Sequence, residues 1–245
     1  MKILISNDDG IFAPGIAALV KAFSQAGHEV FVCAPDSQRS AASHSLTIGR
    51  PIAVREEVFP AAARAYAIGG TPADCVKLGL TELCPEAEAV VSGINKGYNV
   101  GTDILYSGTV AAAMEGAICG RPAMAVSQAQ EKQDYEGAAQ LAVQMFDLMA
   151  AHPLGALSVL NVNMPACGEI RGIRTAAMGP LHYDEVYTPT CDESGAISYT
   201  LQGEIKTEKR QSDDHQKLVE GYATVTVLHY DMTDRDAGTV WNALI

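Results

Sequence analysis

Met1-Lys2-Ile3-Leu4-Ile5-Ser6-Asn7-Asp8-Asp9-Gly10 opens the chain. A short apolar run, Ile3 to Ile5, stops on two adjacent carboxylates and a glycine. The run reads as a buried first strand, which puts Asp8 and Asp9 just past its carboxyl end. Ligands of open α/β sheets bind at that end. Two neighbouring aspartates there repel each other and lose hydration, and a cation relieves both costs. The plainer alternative is that Asp8 caps a turn and Asp9 points into water, since Asp-Gly is a common turn pair.

Outward from this stretch, strand and helix patterns alternate to about residue 165. Pro14 begins a helix with Ile16, Leu19, Val20 and Phe23 at helical spacing, and Gly27 ends it. Strands are expected over 28–34, 89–94, 123–127 and 157–162. Thr71-Pro72 resembles an N-cap followed by proline at the first helical position, opening a helix to about Leu83. Further helices are expected over 109–119 and 134–151. This rhythm predicts an α/β domain with a mostly parallel sheet covered on both faces. After about residue 170 the rhythm stops. Segment 180–215 is polar, punctuated by Tyr183, Tyr187 and Tyr199, and reads as a protruding β arm. Tyr222 to Tyr230 alternates again like a strand. The expected organisation is one domain over 1–245: a catalytic core over 1–170, the arm, and a C-terminal strand and tail over 216–245.

The chain has 245 residues, 48% of them hydrophobic, and a formal net charge of −12. Such a balance supports a large core and opposes a nucleic-acid polymer or membrane surface as partner. The first apolar run is too short for a signal peptide, and no stretch approaches the roughly 20 apolar residues of a membrane helix. The six cysteines form no Cys-x-x-Cys pair and read as reduced, buried thiols. Together these features predict a cytoplasmic protein.

Three further segments carry chemistry. Ser37 to Ser45 is dense in hydroxyls, includes Ser40 and His44, and follows a strand. Ser92-Gly93-Ile94-Asn95-Lys96-Gly97 also follows a strand, and its glycines permit close backbone approach to a ligand. Ser107-Gly108-Thr109 leads into an alanine-rich helix, where free N–H groups suit a phosphate; simple capping by Ser107 or Thr109 is the bland reading. With Asp8 and Asp9, these loops offer carboxylate, hydroxyl and amide oxygens, a donor set for Mg²⁺ or Mn²⁺ with Ca²⁺ as an alternative occupant. No Gly-x-Gly-x-x-Gly follows the first strand and no Gly-x-x-x-x-Gly-Lys-Ser/Thr occurs, so neither a dinucleotide fingerprint nor a P-loop is present.

Asn7-Asp8-Asp9-Gly10 with Ala13-Pro14-Gly15-Ile16, Ala34-Pro35-Asp36, Arg39-Ser40 and Ser43-His44-Ser45 resembles the SurE family of survival-protein nucleotidases. The resemblance continues through Gly70-Thr71-Pro72-Ala73-Asp74-Cys75, Ser92 to Gly97, Asn99-Val100-Gly101, Tyr106 to Val110, Asn161 to Pro165 and Gly221-Tyr222. It implies a Rossmann-like three-layer fold with a C-terminal extension exchanged between subunits, hence a homodimer or homotetramer. It also implies a metal-dependent phosphatase for nucleoside 5′- and 3′-monophosphates, with metal ligands at Asp8, Asp9, Ser40 and Asn95. Ser212-Asp213-Asp214-His215-Gln216 departs from the family's usual pattern.

The resulting expectation is phosphomonoester hydrolysis. Asp8, Asp9 and Asn95 are the catalytic candidates, and Asn95, Ser107, Gly108 and Thr109 the phosphate contacts. Lys96 and His44 are further candidates, for phosphate charge and leaving-group protonation; a solvated lysine and a loop-structuring imidazole are their plainer readings. The same residues also fit a phosphatase for phosphosugars or short polyphosphate, or a metal- and nucleotide-binding regulator without turnover.

Overall fold

The structure, a computed structural model, describes residues 1–132, 134–167, 169–192, 194–206 and 214–242. The first strand, β1 (Lys2–Ser6), buries Ile3, Leu4 and Ile5 completely. Each such side chain gains about 1.5–3 kcal/mol over an exposed one. Helix α1 (Pro14–Gln25) follows, with Ile16, Leu19, Val20 and Phe23 buried as their spacing predicts. Gly27 then takes a φ of +87°, the left-handed turn that releases the chain into β2 (Glu29–Pro35).

Two strands come next, β3 (Val54–Glu56) and β4 (Arg64–Ile68). Thr71 caps α2 (Pro72–Leu78) in a reciprocal box with Asp74, and a π turn (Gly79–Leu83) ends that segment. Strand β5 (Ala89–Lys96), a 3-10 turn (Gly101–Leu105), helix α3 (Gly108–Ile118), strand β6 (Ala123–Gln128), helix α4 (Glu136–Ala151) and strand β7 (Ser158–Met164) complete the parallel half. Strand β8 (Ile173–Thr175), a hairpin of β9 (His182–Cys191) and β10 (Ile197–Lys206), helix α5 (Asp214–Val219), strand β11 (Ala223–His229) and helix α6 (Arg235–Asn242) follow.

Among the described residues the sheet has nine strands, in the order β3-β4-β2-β1-β5-β6-β7-β11-β8. The pairs from β4 to β7 are parallel, β3 and β4 are antiparallel, and β11 runs antiparallel to β7. Helices α1 and α4 pack on one face with the core around Ile3, Ile5 and Phe146. The opposite face packs α2 and α3 over Leu4, Phe31 and Val90. The fold is thus the three-layer α/β domain with a mostly parallel sheet. Chain order reverses between β1 and β5, so the crevice at their carboxyl ends is the topological switch point.

Several expectations need adjusting. Strands β3 and β4 were not foreseen. The tail expected after the last strand contains helix α6. The segment expected as an arm over 180–215 runs at its end into helix α5, while residues 207–213, including Ser212 and Asp213, lie outside the described residues. Cys33, Cys75 and Cys84 are buried and reduced, but Cys119 and Cys167 are half-buried and Cys191 is exposed. The last sits on the hairpin, where the neighbouring described side chains are exposed as well. No helix among the described residues is long and apolar enough to cross a membrane.

Candidate metal and phosphate site

Asp8 and Asp9 stand at the switch point, in a turn closed by their neighbour Asn7. The Asn7 side chain donates from Nδ2 to the Gly10 carbonyl at 2.9 Å, and its Oδ1 accepts from the Gly10 N–H at 3.2 Å. Asn7 is itself buried, so the turn carrying both carboxylates is fixed from within.

Asp8 is only 7% exposed. Its Oδ1 accepts a short hydrogen bond from the Thr109 hydroxyl at the start of α3. Burial raises its pKa above the usual carboxylate range. The Thr109 hydroxyl and the N–H groups of Thr109 and Gly108 offset part of that rise. The carboxylate therefore lies against the positive end of a helix. Gly108 makes this possible: a Cβ there would stand 2.8 Å from Asp8 Cβ and 3.0 Å from its Oδ2.

Asp9 is half-buried, and its pKa is pushed up to about 6 by desolvation and by the adjacent Asp8 charge. The Lys96 N–H and ammonium pull the other way without cancelling the rise. Strand β5 delivers Lys96 and Asn95 through a bulge: Gly93 and Ile94 together oppose Val126 of β6. Gly93 has a φ of +136°, and a Cβ on it would fall 2.3 Å from the Val126 carbonyl oxygen. Only glycine fits there. The bulge shifts the register just before Asn95, which donates from Nδ2 to the Gly97 carbonyl at 2.9 Å. Among the described residues nothing donates to its Oδ1, which leaves a neutral oxygen ready for a cation.

The loop holding Ser40 is fastened over this edge. The Arg39 N–H donates to the Asp8 carbonyl at 2.7 Å, and Arg39 pairs with Asp36 at 3.1 Å. Ser43 donates to the Leu105 carbonyl at 2.7 Å, Thr71 to the Ser45 carbonyl at 2.7 Å, and Thr47 to buried Asp74 at 2.6 Å. Ser40 is exposed, and its Oγ accepts from Gln38 Nε2 at 2.9 Å.

Asp8, Asp9 and Asn95 thus gather at one sheet edge, with Ser40 one residue beyond the Arg39–Asp8 bond. Among the described residues no three His, Cys, Asp or Glu side chains form a metal-binding group. Two carboxylates completed by neutral oxygens are what the edge offers, with Asp9 pushed up to about 6 by burial and by the neighbouring Asp8 charge. This donor set fits a hard divalent cation.

Ser107 is the N-cap of α3, its Oγ accepting from the Val110 N–H at 3.1 Å. That bond uses an oxygen lone pair and leaves the hydroxyl proton available to a phosphate oxygen. The hydroxyl proton of Thr109 is already committed to Asp8. His44 reaches α3 elsewhere. Its Nε2 lies 2.8 Å from Glu115 Oε2, and Lys77 Nζ lies 2.7 Å from Oε1. Glu115 is buried; desolvation would raise its pKa, but the bonds from His44 and Lys77 hold it below the usual range. It sits two turns, roughly 12 Å, along α3 from Ser107. The geometry gives His44 a loop-fastening role.

Sequence reading missed the clamp made by Asn7, the Thr109–Asp8 bond, and a polar cluster deeper along the same edge. There Asn99 N donates to Asn163 Oδ1 at 2.9 Å, while Asn161 and Asn163 both donate to the Asn99 carbonyl, at 2.9 and 3.1 Å. The alternation Asn161-Val162-Asn163 was the available signal, since two amides on one face of an apolar strand need buried partners.

Residues 3–185 match the family model described as Survival protein SurE. A 5′-nucleotidase SurE from Clostridium beijerinckii is 44% identical over 241 residues, covering 96% of this chain and 95% of its own. One from Synechococcus elongatus is 44% identical over 246 residues, with 95% of each chain covered. The crystal structure of the SurE protein from Aquifex aeolicus superposes with a TM-score of 0.86 at 35% identity, covering 100% of this chain and 99% of the other.

Proposed function

The chain belongs to the SurE family, and on that premise we propose that it is a divalent-metal-dependent phosphomonoesterase. Its substrates are nucleoside 5′- and 3′-monophosphates, which it cleaves to nucleoside and phosphate. The observation that carries this reading is the pairing of Asp8 and Asp9 at the switch point, against the N-terminus of α3.

Asp8, Asp9, Ser40 and Asn95 hold Mg²⁺ or Mn²⁺, with Ca²⁺ an alternative occupant. When bound, the cation supplies a Lewis acid that neutralises phosphate charge and lowers the pKa of water. The protein's own groups do the rest. Thr109 locks one Asp8 oxygen and so fixes the direction of the other. The N–H groups of Gly108 and Thr109 hold Asp8, the Ser107 hydroxyl orients a phosphate oxygen, and Lys96 adds a positive charge beside Asp9. One of the two aspartates takes the proton of the attacking water. Positioning and electrostatics of this kind account for most of the catalysis in phosphoryl transfer.

The reading extends to assembly and place. Residues 180–215 act as a subunit-contact arm in a homodimer or homotetramer, and the enzyme works in the cytoplasm. Phosphate release from a panel of phosphomonoesters, with metals varied, tests the activity. Release from AMP and GMP that requires added metal supports it; metal and nucleotide binding without release would leave a regulator in its place.

A further inference from the structure

Phe12 is 67% exposed although it stands three residues from Asp9, next to fully buried Ile11. A single exposed apolar side chain is ordinary; what distinguishes this one is its place in the cavity beside Asp9. Its backbone is held on both sides: the Ile11 N–H donates to the Pro35 carbonyl at 2.8 Å, and the Ala13 N–H to Gly10 at 3.0 Å. The ring is therefore presented from a fixed turn.

It lines a cavity of about 510 Å³ shared with Asp9, Lys96, Asp36, Gln38 and Tyr135. That volume lies within the range of about 300–1,000 Å³ typical of small-ligand sites. Asp9 and Lys96 bring the reacting charges to the cavity. Phe12 and Tyr135 add two aromatic rings, the second half-buried against the core. Exposed side chains of the loop after β2, Asp36 and Gln38, add hydrogen-bonding groups.

We infer that this cavity is a nucleobase subsite in which Phe12 provides the stacking face, so that Phe12 sets a preference for nucleotides over base-free phosphomonoesters. A base has a π-face for the ring and polar edges for Asp36 and Gln38. A sugar phosphate leaves the ring unused. A polyphosphate chain likewise leaves both rings unused. The inference deepens the phosphomonoesterase reading and rests on it.

The test compares kcat/KM for AMP and for ribose 5-phosphate in the metal-loaded wild type, Phe12→Ala and Phe12→Trp. The wild type should prefer AMP. Phe12→Ala should lower that preference roughly tenfold, mainly through KM, and Phe12→Trp should retain it, as expected for base stacking. Saturation-transfer NMR with adenosine, which carries no phosphate, gives a second readout: the adenine signals should weaken in Phe12→Ala. A preference unchanged in Phe12→Ala overturns the inference. So does unchanged preference with a reduced oligomer mass by light scattering, which would assign Phe12 to a subunit contact. If the wild type hydrolyses neither ester, the phosphomonoesterase reading falls and the adenosine arm decides alone: signals equal in both proteins refute the Phe12 contact.

Discussion

The carboxyl edge of the sheet and the β9–β10 hairpin both leave something unpaired, but of different kinds. At the edge it is charge. Asp8 and Asp9 sit side by side in a partly desolvated turn, and burial together with the Asp8 charge pushes the Asp9 pKa up to about 6. On the hairpin it is apolar surface. Its register sets Tyr187 opposite Leu201, Pro189 opposite Tyr199 and Cys191 opposite Ile197, so all six share one face. Tyr187, Tyr199 and Ile197 are each more than 60% exposed, while the sheet beneath the site buries Ile3, Leu4 and Ile5 completely. Among the described residues the base of the hairpin is tied down, by Tyr183 to Asp103 and by Val100, Leu181 and Leu218. The difference is in what each region leaves exposed: unbalanced charge at the edge, which the proposed metal would balance, and apolar surface on the hairpin, which the proposed second chain would cover.

Asp9→Asn should break the edge with the largest effect. Activity is expected to fall at least a hundredfold, since even partners of metal ligands cost 10–100-fold. The metal-free melting temperature should stay level or rise, because repulsion with Asp8 is gone. Calorimetric metal affinity and metal-free melting curves check both halves. Unchanged affinity in both Asp8→Asn and Asp9→Asn refutes the ligand assignment.

Thr109→Val keeps the shape and removes the hydroxyl on Asp8. It is expected to lower metal affinity by about tenfold or more, read by titration. On the hairpin, the double change Tyr199→Ser and Leu201→Ser should weaken self-association at least tenfold, following the cost of losing buried anchors. Light scattering over a dilution series reads this, and core melting should barely move. A monomeric wild type at micromolar concentration would remove the case for a contact arm.

Ser107→Ala separates cap from phosphate contact. The cap alone predicts about 1 kcal/mol of lost stability, whereas a phosphate contact adds a loss in kcat/KM larger than that.

The smallest effect is on pH. Asp9 holds its proton to about pH 6 in the folded chain, against roughly 4 unfolded. Between those values the folded state binds more protons, so metal-free stability should decline as pH rises through that window and level off above it. With saturating metal, protons compete with the cation, and stability should instead climb through the same window. Melting temperature against pH, with EDTA and with Mg²⁺, reads the two slopes.

What the sequence made legible follows from how local each signal is. Helix α1 was readable from Pro14 to Gly27 because its core stripe, proline start and glycine stop lie within one short stretch. Thr71-Pro72 likewise announced its own cap. The aspartate pair was visible because two adjacent charges at a strand end need no tertiary context. Strand β4, Arg64-Ala65-Tyr66-Ala67-Ile68, was missed because alanines make it weak as a β signal, and pairing with β2 decides it. The Thr109–Asp8 bond spans 101 positions, so no pattern near either residue could reveal it. The same holds for His44 and Glu115, 71 apart, where the fold turns a candidate acid into a fastening.

Phosphate release from AMP by the EDTA-stripped wild-type chain, before and after Mg²⁺ or Mn²⁺ is restored, tests the central claim most directly. The account predicts no release from the stripped protein and full turnover once metal returns. Equal release with and without metal, or none with either cation, would contradict it.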